Sequence, residues 1–294
     1  MKIRIGVSAR GDADPLRFGA LADDIEELGF DSIWLPEILT QPAFDPMVAL
    51  AWIGGHNPRL KLGTTALLPG RNPLRLAKQV ATADALTGGR FLLTVVPGLS
   101  QAPERDAVGV DLAARGGLIE ELLPVLRRLW SGERVGYDGP AGRFPATELW
   151  PLPVQRPFDV WLGGMARRSL VRCGRIADGW LPSLCTPEEA RAGREVVEEA
   201  AQEAGRQISP EHFGVSIIYA HLPLDDRVAG AIAARSRGRD PRRLVPIGLP
   251  ALRELLEQFI EVGFSKFVVR PVVAPDHWRE ELEHLAGAVG DLQT

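Results

Sequence analysis

The sequence has little that would direct it to a membrane, a metal or an oxidising compartment. Its two cysteines, Cys173 and Cys185, cannot form a disulfide framework, and no CxxC or Cys/His cluster suggests zinc. The longest apolar runs, such as Phe91–Val96, are far too short to cross a bilayer. The N-terminus lacks the apolar core and small-residue cleavage site of a signal peptide. We therefore expect a cytoplasmic protein that binds neither a metal nor a membrane, with two structural cysteines.

A basic field and the common nucleotide-binding motifs are also missing. The 34 basic and 38 acidic residues give a net charge of −4, which argues against a nucleic-acid binder, because that binding rests on positive charge. No GxGxxG follows the first strand-like run and no GxxxxGK[ST] occurs, so neither Rossmann-type nor P-loop chemistry is indicated. The composition, 45% hydrophobic and 24% charged over 294 residues, excludes general disorder and suits one α/β barrel.

Short strand-like runs alternate with helical patterns along nearly the whole chain. Eight strands are predicted, at Ile3–Ser8, Asp31–Leu35, Leu60–Thr65, Phe91–Val96, Val160–Leu162, Gly179–Pro182, Phe213–Tyr219 and Lys266–Arg270. Each is followed by a predicted helix, and strands joined by helical crossovers run parallel. The pattern predicts a (β/α)8 TIM barrel. An open, doubly wound sheet with an extra module is the alternative.

Two segments interrupt the alternation. Residues 131–158 are rich in proline and glycine and lack a helical period, and residues 223–248 form a second irregular stretch. Neither has the apolar content to bury a core of its own. We therefore expect one domain over residues 1–294, with both segments as insertions.

In a barrel, functional residues lie on the loops after the strands. Gly163 and Gly164 stand between a strand and a helix, where exposed helix N–H groups favour an anion such as phosphate; the alternative is a tight turn. Thr64 and Thr65 end the third strand and suit the polar edge of a ring, or are ordinary strand residues. Glu37 suits acid–base work or a hydrogen bond to a cofactor, or else pairs with a nearby arginine.

Two further features belong to the same end of the predicted barrel. His221 closes the seventh strand, where an imidazole is a candidate proton donor or acceptor. Five arginines follow within a polar loop, at Arg235, Arg237, Arg239, Arg242 and Arg243. They suit a clamp for a ligand with several negative charges, or simply form a solvated loop.

Long stretches of the chain resemble the luciferase-like monooxygenase superfamily, and within it the coenzyme F420-dependent oxidoreductase branch. The likeness is carried by an Arg115…Glu120 helix ending in LRRLW and by LADDIEELGFDSIWLPE (21–37), RLKLGTTALLPGRNPLRLAKQVATADALTGGRF (59–91), VWLGGMARRSLVRCGRIADGWLP (160–182) and GFSKFVVRP (263–271). These segments cover most of the chain outside the two insertions.

The resemblance implies a bacterial-luciferase-like barrel with coenzyme F420, a deazaflavin, across its mouth, and FMN as the alternative cofactor. It implies ring contacts at Thr64, Thr65, Ala66, Val96 and Gly98, with a non-proline cis peptide at Thr65–Ala66. It also implies a cofactor contact at Leu162 and phosphate contacts at Gly163, Gly164 and Met165, which follow it directly. Glu37 corresponds to the acidic residue beside the ring in this family, and a homodimer is expected.

The chain also departs from the pattern of its apparent relatives. Ile38 stands where sugar- and alcohol-oxidising relatives have a histidine base, and Leu99 stands where sugar-phosphate oxidisers have a glutamate. The Glu-His-His of flavin-using relatives is Glu37-Ile38-Leu39. We therefore expect hydride transfer between the deazaflavin and a small, apolar organic substrate, with Glu37, His221 or water handling the proton. The alternatives are an FMN-dependent monooxygenase and a non-catalytic coenzyme-binding protein.

Overall fold

A nearly closed barrel of parallel strands forms the centre of the molecule. The computed structural model describes residues 1–9, 15–236 and 238–294. The barrel strands are β1 (Arg4–Ser8), β2 (Ser32–Pro36), β3 (Lys61–Leu67), β4 (Phe91–Val96), β7 (Val160–Leu162), β8 (Gly179–Trp180), β9 (Gly214–Tyr219) and β10 (Lys266–Pro271). They pair in the order β8-β7-β4-β3-β2-β1-β10-β9. Parallel bridges from Trp180 to Phe213 and from Ser183 to Ser216 join β8 to β9, so the sheet curls back on itself as a (β/α)8 TIM barrel, as predicted.

Helices follow the strands as the sequence pattern indicates. They are α1 (Pro15–Glu27), α2 (Pro46–Gly54), α3 (Pro73–Leu86), α4 (Glu104–Ala107), α5 (Arg115–Trp130), α6 (Arg167–Ile176), α7 (Pro187–Glu203), α8 (Asp226–Arg235), α9 (Leu249–Glu261) and α10 (Trp278–Val289). Local signals fix their starts. Asn72 caps α3 by accepting from the Arg75 N–H, and Thr186 with Glu189 forms the capping box of α7.

Both predicted insertions contain regular secondary structure that was not predicted from their sequences. The first holds an antiparallel hairpin, β5 (Val135–Gly139) and β6 (Gly142–Thr147). Tyr137 lies opposite Phe144 with ring centroids 5.9 Å apart, and buried Phe144 belongs to the main apolar core, so cross-strand packing overrides the proline and glycine content. The second holds α8 and a 3-10 turn at Pro241–Arg243. The one-domain organisation stays a prediction.

Two tryptophans fill the interior of the barrel. Trp34 from β2 and Trp161 from β7 form a buried cluster with Leu181 and Val268, and because these come from different walls they meet in the lumen. Strand glycines make the room. A Cβ on Gly63 would lie 2.2 Å from the Trp34 ring, so a large side chain on one strand requires glycine on the next.

A charged layer closes the end of the lumen where the strands begin. It borders a cavity of about 50 Å³ lined in part by Arg4, Asp31, Asp159 and Lys266. The Lys266 ammonium lies 5.0 Å from the centroid of the Trp161 ring. Burial and the neighbouring Lys61 lower the pKa of Lys266. This layer is at the opposite end of the barrel from the strand ends described next.

Candidate functional site

The strand ends on one wall of the barrel bring most of the predicted cofactor-binding residues together. Leu67 of β3 pairs with Val96 of β4, and Val95 pairs with Leu162 of β7. The Gly163 N–H donates to the Val95 carbonyl at 3.2 Å. The ends of β3, β4 and β7 therefore form a continuous shelf, which we call the β3–β4–β7 wall.

The third strand differs in detail from what the resemblance implies. The Thr64 hydroxyl is fully buried and donates to the Leu35 carbonyl at 2.9 Å, so it is not directed at a ligand. Thr65 is half-buried and Ala66 is buried. The prediction of a cis peptide at Thr65–Ala66 was wrong, because every cis bond among the described residues precedes a proline. The reason is that β3 keeps regular parallel pairing with β4 through Leu67 and forms no bulge there.

An arginine that sequence reasoning did not single out as a site residue holds the loop after β4. Arg115 is 1% exposed. It donates to the carbonyls of Pro97 and Leu99 at 3.2 Å, to Val110 at 3.0 Å and also to the Arg105 carbonyl. Gly98, which has a φ of +88°, lies against it, since a Cβ there would be 3.2 Å from the Arg115 guanidinium. Gly98, a predicted ring contact, thus lies on a loop that the Arg115 guanidinium holds through the carbonyls on either side of it.

The turn after β7 has the geometry of an anion cradle. The Gly164 carbonyl accepts from the Trp180 indole N–H at 3.0 Å, and Trp180 is fully buried. In a planar trans peptide the N–H of Met165 points the opposite way, out of the core. No side chain caps the N-terminus of α6, so the N–H groups of its first residues have no side-chain acceptor. A Cβ on Gly163 would lie 2.9 Å from a Val96 methyl group, so any larger residue there would require Val96 to move.

Glu37 is paired rather than free. Its carboxylate accepts from the Leu67 N–H at 2.7 Å and from the Arg71 guanidinium, with the Glu37 side chain 6% exposed. Arg71 lies in the loop between β3 and α3. The arginine-partner alternative is therefore the arrangement observed, and Glu37 ties the end of β2 to the end of β3. A carboxylate held by an arginine is an acceptor, and a catalytic role for Glu37 stays a prediction.

A second buried carboxylate joins the loops after β2 and β4. Glu104, 5% exposed, accepts from the Leu39 N–H at 2.8 Å and from the N–H and hydroxyl of Thr40 at 3.0 and 2.7 Å. Glu104 follows no motif, and its position in a short polar helix gave no sequence signal. The two loops that carry Ile38 and Leu99 are thereby linked.

His221 belongs to a hydrogen-bonded group at the far side of the mouth. Its Nε2 lies 2.8 and 3.0 Å from the two carboxylate oxygens of Glu281. Glu281, on the first turn of α10, is 8% exposed and also accepts from the Tyr219 hydroxyl at 2.5 Å. Burial and the Glu281 carboxylate raise the pKa of Tyr219, so this hydroxyl remains a donor. Neither Tyr219 nor Glu281 was recognised from the sequence, because they are 62 positions apart along the chain.

The remaining predicted features fall into two groups. Cys173 and Cys185 are buried, and burial raises the pKa of both thiols, to about 12 for Cys185, as expected of structural cysteines. In the arginine loop, Arg239 donates to the Leu184 carbonyl and pairs with Glu189. Arg237 lies outside the described residues. The arginine clamp stays a prediction.

The described residues form neither a metal centre nor a membrane-spanning helix. Within the described residues, no group of three or more His, Cys, Asp or Glu side chains is placed to hold a metal ion. Over the same part of the chain, every helix is too short or too polar to span a bilayer.

Comparisons with known proteins agree with this architecture. A Mycobacterium tuberculosis protein that is named as a putative coenzyme F420-dependent oxidoreductase is 28% identical over 242 residues, which cover 78% of this chain and 69% of the relative. The F420-dependent tetrahydromethanopterin reductase of Methanopyrus kandleri superposes with a TM-score of 0.80 at 18% identity over 100% of both chains. The FMN complex of the oxygenating constituent of 3,6-diketocamphane monooxygenase from Pseudomonas putida superposes with 0.78 at 16%, over 100% of this chain and 99% of that one.

At these identities the two solved structures show the shared fold alone. The sequence profile of the luciferase-like monooxygenases matches residues 2–243. That match spans the barrel from β1 through β9, with the β3–β4–β7 wall and His221. The chain therefore belongs to the luciferase-like monooxygenase family.

Proposed function

We propose that the protein is a coenzyme F420-dependent oxidoreductase that moves hydride between the deazaflavin and a small, apolar organic substrate. The relative from Mycobacterium tuberculosis carries the name of such an enzyme. The observation that carries the proposal is the cradle at Gly164 and α6, where the orientation of one peptide and an uncapped helix start present N–H donors at the barrel mouth.

The residues present fit such a cofactor. Its phosphate would lie against the N–H groups of Met165 and the first turn of α6, flanked by Arg167 and Arg168, both exposed. Its ring would lie on the β3–β4–β7 wall, beside Thr65, Val96 and Gly98. When bound, the deazaflavin supplies a carbon that donates or accepts hydride.

The loops around the wall are held by contacts from the protein's own side chains. Arg115 holds the loop after β4, and Glu104 ties it to the loop after β2. Glu37 and Arg71 fix the end of β3. This preorganisation keeps a planar ring in one place relative to the substrate. Glu37 thus acts first as a positioning residue, and His221 is the group best placed to handle a proton.

The side chains around the mouth favour an apolar substrate. Ile38 and Leu99 replace the histidine and glutamate that the resemblance associates with sugar oxidation, and both are half-buried. Leu222 and Val273 extend the apolar rim, being 76% and 72% exposed. A polyhydroxylated sugar phosphate would find few partners there. A ketone, enone or imine has one polar atom to satisfy.

The test is a pair of binding titrations of the apoprotein, with coenzyme F420 and with FMN, followed by tryptophan fluorescence. Trp180 bonds directly to the Gly164 carbonyl, so a phosphate in the cradle changes its emission. Preferred binding of coenzyme F420 is expected. Preferred binding of FMN with substrate-dependent oxygen uptake would replace the proposal by a monooxygenase. Tight binding of coenzyme F420 without turnover over a broad acceptor panel would leave a coenzyme-binding protein. The homodimer stays a prediction.

A further inference from the structure

The mouth of the barrel has an acid–base unit on the wall opposite the proposed ring site. In the circular strand order, β9 and β3 are separated by three strands in either direction, so they face each other across the lumen. His221 follows β9, and Glu281 lies on the first turn of α10, the helix after β10. A substrate between the two walls would have the β3–β4–β7 wall on one side and His221 on the other.

The contacts of Glu281 determine which nitrogen of His221 carries hydrogen. An ionised carboxylate only accepts hydrogen bonds, and both of its oxygens lie within 3.0 Å of Nε2. Nε2 must therefore be the protonated nitrogen, which leaves Nδ1 as the atom that accepts or delivers a proton. The Tyr219 hydroxyl binds Oε1 at 2.5 Å from within the core and holds the carboxylate in place.

The exposure of the three side chains increases from Tyr219 through Glu281 to His221. Tyr219 is fully buried and Glu281 is 8% exposed, whereas the His221 side chain is 48% exposed. The Tyr219 and His221 rings meet edge to face, with centroids 5.7 Å apart. The imidazole is thus anchored on its Nε2 side and open to a ligand on the other. The next residue along the chain, Leu222, is apolar and exposed.

We infer that Glu281 is a positioning residue that fixes the tautomer of His221, and that Nδ1 of His221 exchanges a proton with the substrate's oxygen or nitrogen. The inference rests on the proposed function. Reduction of a carbonyl or imine adds hydride from the coenzyme to carbon, breaks the π bond, and leaves its electron pair on the heteroatom. His221, as the imidazolium, supplies the proton to that atom. In the oxidative direction the neutral imidazole takes the proton as hydride leaves carbon.

This unit occupies a different place from the histidine that the chain lacks. Ile38, after β2, has no group that transfers a proton, and Glu37 beside it is paired with Arg71. The acid–base function is thereby moved from the end of β2 to the end of β9. The substrate heteroatom must then point toward β9 and β10, with its apolar part against Ile38 and Leu99.

The first test needs no substrate. Long-range ¹H–¹⁵N spectra of the apoprotein report the tautomer of each histidine, and His221→Gln assigns the His221 signals. We expect the Nε2–H form in the wild type and a mixture of tautomers in Glu281→Gln. Glu283→Gln is the matched control, because Glu283 lies on the same helix and pairs with Arg279 on the surface. An Nδ1–H form in the wild type, or an unchanged tautomer in Glu281→Gln, would overturn the inference.

The second test measures turnover of reduced coenzyme F420 with cyclohex-2-enone as an apolar probe acceptor. Glu281→Gln and His221→Gln should each lower kcat by roughly tenfold to a thousandfold, with KM within about threefold. The double variant should lose little more than either one, since the two residues act as a unit. His221 is half-exposed, so His221→Gln folds even if Glu281→Gln does not. Losses that multiply in the double variant, or a wild-type kcat in either variant, would refute the unit.

Failure of the proposed function gives a different result. If the wild type binds no coenzyme F420, the hydride proposal falls while the tautomer spectra still decide the role of Glu281. If coenzyme binds and the tautomer is fixed, but His221→Gln turns over normally, His221 transfers no proton and the inference falls alone.

Discussion

Replacement of Arg115 by methionine tests whether a single buried guanidinium holds the loop after β4. Arg115 is 1% exposed and donates to four backbone carbonyls between Pro97 and Val110. Methionine keeps most of the aliphatic stem but none of the donors. The loop carries Gly98, a predicted ring contact, so loss of these bonds should affect both stability and coenzyme affinity.

The size of the effect follows from those four contacts. A hydrogen bond to a charged group contributes about 1.5–3 kcal/mol. Residues 97–99 are only half-buried, so water replaces part of what is lost, and removing the buried charge recovers some desolvation free energy. We therefore expect Arg115→Met to lower the free energy of unfolding by about 3 kcal/mol, a large effect for one substitution. The free energy of unfolding of Arg115→Lys should lie between those of the wild type and Arg115→Met, because an ammonium cannot reach four carbonyls at once.

Urea unfolding, followed by circular dichroism, measures the difference. Arg128→Met is the matched control, because Arg128 lies on the same helix and pairs with exposed Glu133, a contact that contributes about 0–1 kcal/mol. The titration with coenzyme F420 should also weaken in Arg115→Met and stay unchanged in the control. A loss below about 1 kcal/mol in Arg115→Met, equal to the control, would refute the reasoning.

Three further predictions concern other residues. Glu37→Gln and Arg71→Met should each lower the free energy of unfolding by about 2 kcal/mol, and the double variant by little more; lost turnover with unchanged stability would instead make Glu37 a proton-transfer group. Gly164→Ala should weaken coenzyme F420 binding about tenfold in the fluorescence titration, because alanine is strained at a φ of +108°, whereas Gly117→Ala, in open space on α5, should bind normally and gain about 1 kcal/mol in stability. Lys266→Met should raise the free energy of unfolding at neutral pH by about 1 kcal/mol, because burial lowers the pKa of Lys266 from 10.5 and the charged form therefore disfavours folding. The stability of the wild type should rise toward that of Lys266→Met as the pH increases through the lowered pKa toward 10.5. A parallel pH dependence of the two proteins in urea titrations would contradict this.

The barrel itself could be predicted from the sequence, because each strand and helix is specified locally. Phe91–Val96 and Val160–Leu162 begin and end where their apolar runs do, and Thr186 marks the start of α7 through its capping box. The hairpin at 135–147 was missed for a physical reason. Its stability comes from Tyr137 against Phe144 and from burial of Phe144 in the core, which are tertiary contacts that local propensity does not contain.

The site divides in the same way. Positions on the wall, such as Val96 and Gly163, follow from the strand ends, and any parallel barrel brings such ends together. The partners of the charged residues do not follow. Glu37 is 34 positions from Arg71, and His221 is 60 from Glu281, with no spacing rule to connect them. The sequence therefore identifies Glu37 and His221 as candidates. Only the fold shows that Glu37 is paired with an arginine and that the His221 side chain is open to solvent.

Under the proposed function, that distinction determines what each residue of the mouth does. A carboxylate buried against an arginine, as in Glu37, stabilises a loop and remains an acceptor. An imidazole anchored by a buried carboxylate and exposed on its other side, as in His221, is the group that we propose moves a proton. Glu37 lies at the end of β2, next to the proposed ring site, and His221 lies at the end of β9, on the opposite wall. If hydride crosses from the β3–β4–β7 wall, charge develops on the substrate atom that faces β9, and His221 is the side chain positioned to neutralise it. The orientation of the substrate is then set by where the proton must arrive, with the apolar rim deciding which substrates enter.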